Sequence, residues 1–449
     1  MKKLTTCILM TTMALMASAE ASSSRFHPKH LFIKLKAGQS MVKSPLIKSS
    51  KKIIGQIYLV KTNKLEELEA ELSSHESVEY AQKDFYAEKK LMPKLEILDH
   101  ASLAMKRFTE VNFGSFNDPD SSKLWAFNST AGMNVTEAYD KLPSASAEEV
   151  IVAVVDTGVD HNHEDLKDIM WTNEKEIAGN GIDDDNNGYI DDIHGINTLV
   201  RDAQGNATMD TMAGHWHGTH VSGTIAATQN NGIGITGVAS NVKIMAIRTV
   251  PDDADELDSN IVEAYKYAAK NGARLINCSF GKEVNEGGMV VRDVIDEIGK
   301  KYNTLVIASA GNDSMGPYSW HDNDSSPKYP AAFDSANLLV IASTTSSGSL
   351  SSFSNIGIKT VDVAAPGSNI YSTIVGNKYG MASGTSMASP NTTGVAAMVL
   401  GYYPNLSATE LKAVLMKSST PVAAFKAQIA SGGRVNLKSA LQKAKAVKK

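Results

Sequence analysis

The sequence predicts an α/β protein in which a mostly parallel sheet is covered by helices on both faces, with a small α+β unit in front of it. From residue 149 onward the chain contains short, dense apolar runs, which are typical of strands buried on both faces. Such runs occupy residues 150–156, 242–250, 274–281, 304–312 and 337–344. Helical patterns lie between them, as in residues 259–273. Alternating strands and helices predict a parallel sheet between two helical layers.

The first residues predict export from the cell. Lys2 and Lys3 are followed by an apolar stretch and then by Ala17-Ser18-Ala19, which is the layout of a secretory signal peptide. No later run approaches the roughly 20 apolar residues of a membrane span. We therefore expect residues 1–19 to be a signal peptide and the protein to be secreted, to the medium or the periplasm, without a membrane anchor.

The next segment, residues 20–90, is the predicted α+β unit. LFIKLKAG and GQIYLVKT alternate as strands do, and SVEYAQKDFYAEKK returns as a further strand. Between them, Leu65, Leu68 and Leu72 form a helical stripe. Residues 91–117 show no clear period and are predicted to be a linker, and residues 118–449 are predicted to form the large domain.

Bulk composition limits the partners and the means of stabilisation. The chain is 42% hydrophobic and 21% charged, with a mild formal charge of −5, so we expect a globular monomer without a nucleic-acid partner. Cys278 is the one cysteine after the predicted signal peptide, so no internal disulfide can form and bound ions are the first alternative. No cationic residue adjoins Cys278, which predicts a buried, inert thiol.

Polar side chains at strand ends and at one helix start predict where the functional site lies. Asp156 and Asn312 each follow a buried run, and ligands bind at the carboxyl ends of parallel strands. Ser386 stands among small residues before an apolar helical pattern, with Pro390 expected in the first helical turn. There it would face the positive end of the helix dipole.

The stretch HWHGTH, residues 215–220, leaves two possibilities open. Its three imidazoles have a spacing compatible with zinc. Alternatively, one of them is a proton-transfer base and the other two are bystanders.

Four stretches taken together, VAVVDTGVD, HGTHVSGTIAA, SAGND and GTSMASP, closely resemble the active-site blocks of the subtilisin-like serine proteases. The order Asp, His, Ser is also that of the family, and the resemblance covers about residues 118–438. It implies a three-layer α/β/α subtilisin-like fold with a mostly parallel sheet. It also implies a serine endopeptidase acting on protein or peptide substrates.

The resemblance assigns roles to the polar residues. Ser386 would be the nucleophile, His217 the general base and Asp156 the group that orients the imidazole. The Asn312 amide and the Ser386 backbone N–H would form the oxyanion hole. His220 would be structural. Two other classes remain: an inactive protease-fold binding protein, and a zinc hydrolase that uses the HWHGTH cluster.

The resemblance also predicts where substrate binds. The predicted substrate-binding residues are Ser279, Phe280, Gly281, Ala310 and Gly311. Lys282 stands where the family usually has a second glycine. In the opposite wall, residues 314–330, Asp322 and Asp324 could attract a basic side chain or could simply be solvated.

An acidic stretch, GNGIDDDNNGYIDDIHG, predicts a calcium loop. Its alternating oxygen ligands and tight turn are typical of calcium sites. The predicted ligands are Asp183, Asp185, Asn187, Asp192 and the carbonyl of Tyr189. His194 occupies the twelfth position in place of glutamate, so an EF-hand is not expected. The alternative is a solvated acidic loop.

The family resemblance implies a second calcium site and a precursor form. The ligands would be Asp165, Asn231 and the backbone carbonyls of Ile233 and Ile235. Residues 20–90 would be a propeptide that assists folding and inhibits the enzyme intramolecularly, with the processing site in the linker. Slow folding of large parallel sheets gives such a helper a physical purpose.

Overall fold

The apolar runs of the sequence pair with one another in one large sheet. The structure is a computed structural model that describes residues 25–87, 95–97, 116–128, 130–252, 256–282, 285, 288–316 and 318–447. The predicted signal peptide and most of the predicted linker, including the greater part of the region expected to hold the processing site, lie outside these residues.

The elements are numbered in chain order. The strands are β1 (Phe26–Leu35), β2 (Ser49–Ile54), β3 (Ile57–Lys61), β4 (Val78–Ala87), β5 (Leu95–Glu96), β6 (Val150–Asp156), β7 (Gly195–Arg201), β8 (Ala207–Thr208), β9 (Val242–Arg248), β10 (Glu256–Leu257), β11 (Leu275–Cys278), β12 (Leu305–Ser309), β13 (Leu338–Thr344), β14 (Val363–Pro366), β15 (Ile370–Ile374), β16 (Lys378–Ala382), β17 (Thr420–Pro421) and β18 (Gly433–Arg434). The α-helices are α1 (Leu65–Ser73), α2 (Val135–Tyr139), α3 (Trp216–Ala226), α4 (Asp258–Lys270), α5 (Val290–Tyr302), α6 (Thr385–Tyr402), α7 (Ala408–Lys417) and α8 (Leu437–Val447). Short 3-10 helices span Ser121–Lys123, Trp125–Phe127, Lys167–Ile169 and Ala423–Ala427.

The large sheet has the order β17-β18-β14-β13-β12-β11-β6-β9-β7-β8. The pairs from β18 through β7 are parallel, and the edge pairs β17–β18 and β7–β8 are antiparallel. This topology confirms the predicted mostly parallel sheet. Parallel strands end at one edge, so β6, β11 and β12 bring the residues that follow them together there.

Helices cover both faces, as predicted. Alternate residues of β6 point to opposite layers: Val152 and Val154 pack in the core that contains α3 and α6, whereas Ala153 and Val155 pack in the core that contains α4 and α5. Helix α6 is buried along almost its whole length, so its first turn has a fixed position against the sheet. Among the described residues, none of the helices has the length and apolar character that crossing a membrane requires.

The N-terminal unit is an antiparallel sheet with one helix across it. Strands β4, β1, β3 and β2 are neighbours in that order, and α1 packs on them through Leu65, Leu68 and Leu72. The sheet continues into the large domain, because β4 pairs with β10 and Ala87 lies opposite Glu256. On the other side of the gap in the described residues, β5 pairs with β16, which precedes α6.

Candidate active site

Asp156 and His217 form a buried pair at the carboxyl edge of the sheet. Asp156 is the last residue of β6 and His217 the second residue of α3. The Nδ1 atom of His217 lies 2.8 Å from Oδ1 of Asp156, and both side chains are about 1% exposed. Gly218 permits this approach, because a Cβ atom there would lie 2.1 Å from the carbonyl oxygen of Gly158.

Ser386 reaches the same edge from the first turn of α6. Its Oγ donates a hydrogen bond to the backbone carbonyl of Ser279, 3.0 Å away. Ser279 immediately follows β11, and β11 pairs in parallel with β6 so that Cys278 lies opposite Val155. The nucleophile candidate and Asp156 are thus held at the ends of adjacent strands. The backbone N–H groups of a helix start face this position.

The position of Pro390 differs from the expectation. Helix α6 begins at Thr385, so Pro390 is its sixth residue and lies in the second turn. A proline there has no N–H to donate to the carbonyl of Ser386. The hydroxyl of Ser279 donates to that carbonyl instead, at 3.0 Å. A neighbouring loop therefore completes the backbone hydrogen bonding of the nucleophile helix.

The Nε2 atom of His217 is buried and has no hydrogen-bond partner within the described part of the chain. An unsatisfied buried nitrogen of this kind is costly and points to function. The Ser386 hydroxyl donates to Ser279 rather than to this nitrogen. Catalytic hydrogen bonds are often formed fully only with substrate bound.

Asn312 is oriented by the first residue of α6. Its Oδ1 accepts hydrogen bonds from the backbone N–H of Thr385 at 2.9 Å and from its hydroxyl at 3.0 Å. With the carbonyl end engaged, the amide N–H₂ end remains as the donor. Asn312 is exposed, unlike the Asp156–His217 pair, so this donor can face a substrate.

The predicted substrate-binding residues lie on two adjacent loops at this edge. Ser279, Phe280 and Gly281 follow β11, and Ala310 and Gly311 follow β12. Gly281 needs to be glycine, because a Cβ atom would lie 2.7 Å from the carbonyl oxygen of Tyr329.

Gly311 has the same requirement for another reason. Its φ is +108°, a region that favours glycine, and a Cβ atom would lie 2.4 Å from Nδ2 of Asn355.

Lys282 lines a small pocket together with Phe280 and Gly281, and its charge is paired. Its Nζ lies 2.6 Å from Oδ1 of Asp258, and the two side chains are 8% and 4% exposed. The backbone of Lys282 also exchanges two hydrogen bonds with Tyr329, at 2.8 and 2.9 Å. No pattern in the sequence predicts either Asp258 or Tyr329 as a partner of Lys282.

Asp322 and Asp324 accept hydrogen bonds from backbone N–H groups, Asp322 within its own loop and Asp324 from a second loop. Oδ1 of Asp322 accepts from the backbone N–H of Asp324 at 2.9 Å. Asp324 accepts from the N–H groups of Lys359 and Thr360 at 3.0 Å each. These contacts favour the structural alternative over attraction of a basic side chain.

The three histidines of HWHGTH have different partners. His215 caps α3 by accepting from the N–H of His217, and His217 pairs with Asp156. Nε2 of His220 lies 3.0 Å from the carbonyl of Ile370, and burial lowers the pKa of His220 to about 3. Rings engaged in this way do not converge on a common metal position, which argues against the zinc alternative.

Cys278 is buried in β11. The hydroxyl of Tyr265 donates to its Sγ at 3.1 Å, and burial raises the pKa of the thiol to about 12. A thiol with so little thiolate is unreactive, in agreement with the predicted inert cysteine.

The acidic loop brings together part of the predicted calcium set and one residue that was missed. Carboxylate oxygens of Glu176, Asp183 and Asp185 all lie within 4.8 Å of one another. The backbone N–H of Asn187 donates to both aspartates at 2.9 Å, which closes the turn. Glu176 lies outside the D-x-D-x-N-G pattern, so that pattern could not reveal it.

Asp192 and Tyr189 anchor this loop through their side chains. Asp192 is fully buried and accepts from Asn187 Nδ2 at 2.9 Å and from the hydroxyl of Tyr267. Burial raises the pKa of Asp192 to about 6. The hydroxyl of Tyr189 donates to Glu263 at 3.0 Å. The structure therefore gives both side chains partners outside the carboxylate cluster.

Of the residues predicted for the second calcium site, Asn231 and Ile235 donate hydrogen bonds to Asp165. Its Oδ1 accepts from Nδ2 of Asn231 at 2.9 Å, and its Oδ2 accepts from the N–H of Ile235 at 3.0 Å. Burial raises the pKa of Asp165 to about 6. The N–H of Ile233 donates to Oδ1 of Asn231 at 2.8 Å.

Asp118 also organises this loop and was not predicted. It accepts from the backbone N–H groups of Asn230 at 2.9 Å and of Gly232 at 3.1 Å. Since Asp118 and the loop are more than a hundred residues apart, no local pattern connects them.

A buried Asp-His pair beside a serine at a helix start is the arrangement of serine hydrolases as a class. A sequence profile of the Subtilase family matches residues 147–438. The chain therefore belongs to the subtilase family.

Individual relatives agree with this assignment. The chain is similar to Subtilisin-like protease 1 of Plasmodium berghei, with 32% identity over 73% of this chain and 55% of the relative. It is also similar to the Halolysin-like extracellular serine protease Nep of Natrialba magadii, with 34% identity over 59% of this chain and 42% of the relative. The chain spans about half the length of the Plasmodium relatives it matches.

A solved structure shows the same fold. It is described as that of proteases from Pseudoalteromonas arctica, and it superposes with a TM-score of 0.59 at 26% identity. The match covers 73% of this chain and 99% of the other. The similarity supports the predicted subtilisin-like α/β fold.

Proposed function

We propose that this protein is a serine endopeptidase that hydrolyses peptide bonds through an acyl-enzyme. The observation that carries the proposal is the buried His217–Asp156 pair with an open Nε2 atom at the sheet edge where Ser386 also lies. Membership of the subtilase family supports the same reaction. No described contact favours a binding protein without activity.

The proposed mechanism begins with a movement of the Ser386 hydroxyl. The Ser386 hydroxyl leaves the Ser279 carbonyl and turns to His217, whose Nε2 accepts the proton as Oγ attacks the scissile carbonyl. Asp156 keeps the other ring nitrogen protonated and stabilises the imidazolium. The Asn312 amide and the Ser386 N–H donate to the oxyanion. His217 then gives its proton to the leaving amine, and water repeats the sequence to release the acid.

A fluorophosphonate probe and a casein assay test this proposal. The probe is expected to label wild-type enzyme at Ser386, and Ser386→Ala is expected to lose both labelling and cleavage. Ser347→Ala is the matched control, because Ser347 is exposed and its hydroxyl pairs with Thr345 in the turn after β13. Undiminished cleavage by Ser386→Ala would exclude the serine mechanism. Absence of cleavage by wild-type protein from which the N-terminal unit has been removed would favour the inactive binding protein.

We further propose that residues 20–90 are an inhibitory propeptide. The described part of this unit contacts the start of α5, where Oε1 of Gln82 accepts from the N–H groups of Met289 and Val290 at 2.7 and 3.1 Å. At the start of α4, Oδ1 of Asp84 accepts from the N–H of Ser259 at 2.9 Å. Side-chain acceptors at two helix starts give this unit a specific binding position on the large domain.

Two ion pairs also join the N-terminal unit to the large domain. Lys34 lies 3.0 Å from Asp293, and Lys51 lies 2.8 Å from Glu263. Both acidic partners are nearly buried, and each also pairs with an arginine of the large domain, Asp293 with Arg292 and Glu263 with Arg201. Strand β4 ends at Ala87 beside the substrate loop residues Phe280 and Gly281, which supports obstruction of the cleft by the propeptide.

Calcium is the proposed stabilising ion. Glu176, Asp183 and Asp185 offer clustered carboxylate oxygens, which suit a hard cation such as Ca²⁺. Asp165 and Asn231 remain the proposed core of the second site. In both places the ion would neutralise crowded or buried carboxylates and stabilise the folded loops.

Secretion is supported by the N-terminal sequence pattern and by relatives. The Natrialba relative is described as extracellular. Detection in the culture medium or periplasm of a precursor that begins after residue 19, or of its processed form that begins within residues 91–117, is the test.

A further inference from the structure

A small pocket adjoins the substrate loop that follows β11. The apolar part of its lining includes Ile261, Phe280, Val291 and Phe333. Lys282 and Asp258 also line it. Lys282 is three residues beyond Ser279, the contact of Ser386, and this corresponds to about 10 Å of extended chain. Ala87 lines this pocket and precedes the predicted processing region in the chain, so the pocket is placed to receive a side chain a few residues before a scissile bond.

The protein's own chain occupies this position. Ala87, the last residue of β4, lines the pocket and lies opposite Glu256 in an antiparallel pair. Ala87 is 6% exposed. With its methyl group in place, the free volume is about 20 Å³, which is room for roughly one water-sized group. The enclosed space beside Ala87 therefore has little room for a side chain longer than that of alanine.

The charged wall is fixed in place. The Lys282–Asp258 distance of 2.6 Å joins two buried side chains, and separating two buried opposite charges is costly. The Tyr329 backbone holds Lys282 on both sides through its N–H and carbonyl. A larger substrate side chain cannot push this wall aside as it could a single flexible apolar residue.

We propose that the Lys282–Asp258 pair determines substrate specificity by closing this pocket. The enzyme then selects peptides with a side chain the size of alanine at the position that pairs with Glu256, and discriminates against leucine and phenylalanine there. This inference rests on the proposed peptidase function.

Cleavage of a peptide library by enzyme produced from the full-length chain tests the inference. At one position before the cut, wild-type enzyme is expected to prefer alanine over leucine by roughly tenfold or more in kcat/KM, the discrimination typical of misfitting methylene groups. The double variant Asp258→Ala/Lys282→Ala removes both charges together, and the ratio is expected to fall to about twofold or less. Each ratio is taken within one enzyme, so partial misfolding does not affect it.

A second ion pair provides the control. Asp362→Ala/Lys412→Ala removes a pair with a 3.0 Å contact away from the pocket, and its alanine-to-leucine ratio is expected to match the wild type. Equal cleavage of alanine and leucine peptides by the wild type would overturn the inference and leave the peptidase intact. Retention of the wild-type ratio by the Asp258/Lys282 double variant would also overturn it. Failure of the wild type to cleave any peptide would remove the proposed function and this inference together.

Discussion

The Asn312 side chain is held in one orientation by its contacts with Thr385. Both Thr385 donors contact the oxygen of the Asn312 amide. The other end of the amide is therefore its nitrogen, which can donate. We predict that Asn312→Ala lowers kcat by about 10²–10³-fold, the loss typical of removing such a donor in a subtilisin, with a much smaller change in KM. Steady-state kinetics on a peptide substrate measure both values.

Asn312→Asp is the informative companion to this variant. It keeps an acceptor for the Thr385 N–H and loses the donor, so its kcat is expected to fall as far. Full activity of Asn312→Asp would mean that the amide does not stabilise the oxyanion.

His220 makes stability depend on pH. Burial lowers its folded-state pKa to about 3 from a usual value of 6.5, so below pH 6.5 the unfolded chain binds a proton that the folded chain does not. The contribution of the neutral His220 ring to the free energy of unfolding is fully present above pH 6.5 and is lost as the pH falls toward 3. At pH 5 the loss is expected to be about 2 kcal/mol.

Urea unfolding at pH 8 and pH 5, in a Ser386→Ala background that prevents self-digestion, measures this effect. His220→Gln carries no titrating ring and can still donate to the Ile370 carbonyl. Its free energy of unfolding is expected to change less between the two pH values. Equal changes in both proteins would assign the pH dependence to other groups.

The residues that the sequence could predict are those inside short motifs. Asp156, His217, Asn312 and Ser386 each follow a recognisable local pattern, and the structure places Asp156, His217 and Ser386 at one sheet edge. Glu176 could not be predicted in the same way, because its role depends on a contact with the loop 183–188. The Lys282–Asp258 pair likewise joins two segments far apart in the chain.

At the scale of elements, helix α6 depends on a donor from outside itself. Ser279 supplies the hydrogen bond that Pro390 cannot give to the Ser386 carbonyl. We predict that Ser279→Ala lowers the free energy of unfolding by about 1–3 kcal/mol, the cost of a buried unsatisfied acceptor. Pro390→Ala restores an N–H at the correct helical position, so the double variant is expected to recover part of that loss.

A double-mutant cycle in the Ser386→Ala background separates this coupling from the effects of each change alone. Strict additivity of the two substitutions would show that the two donors do not substitute for each other.

The acidic loop brings carboxylate oxygens of Glu176, Asp183 and Asp185 close together, and we propose that calcium balances their charge. Removal of calcium with EDTA is expected to lower the melting temperature, because a ligand at 100 times its Kd stabilises the folded state by about 2.7 kcal/mol. Asp185→Asn weakens the carboxylate cluster and is expected to reduce the difference between calcium and EDTA. Asp168→Asn, outside the cluster, is the control. An identical EDTA effect in Asp185→Asn and wild type would place the stabilising ion elsewhere.

At the scale of the whole molecule, the N-terminal unit and the large domain share strand pairing and charge pairs. We predict that Lys34→Ala/Lys51→Ala weakens inhibition by this unit, so that activity develops earlier after expression. The effect of the pair is expected to be modest, because both lysines are partly exposed. Time courses of casein cleavage and of precursor disappearance measure it.

Lys43→Ala/Lys48→Ala is the matched control, because both lysines are exposed on the same unit. The same delay before activity in all three proteins would show that the two ion pairs do not hold the inhibitor.

The overall architecture was predictable because buried parallel strands leave a strong apolar signal. Strands β6, β9, β11, β12 and β13 all fall within the apolar runs of the sequence. The antiparallel edges leave no comparable signal, because β8 and β17 are two residues long. The continuation of β4 into β10 was also unpredictable, since it joins segments separated by about 170 residues.

The sealed position of Cys278 has a practical consequence. Maleimide dyes and spin labels need an accessible thiolate, and the one sulfhydryl after residue 19 is enclosed in the sheet. A cysteine engineered on the surface would therefore be the sole attachment point for a fluorophore. Departure of the N-terminal unit could then be followed optically in an otherwise native protein.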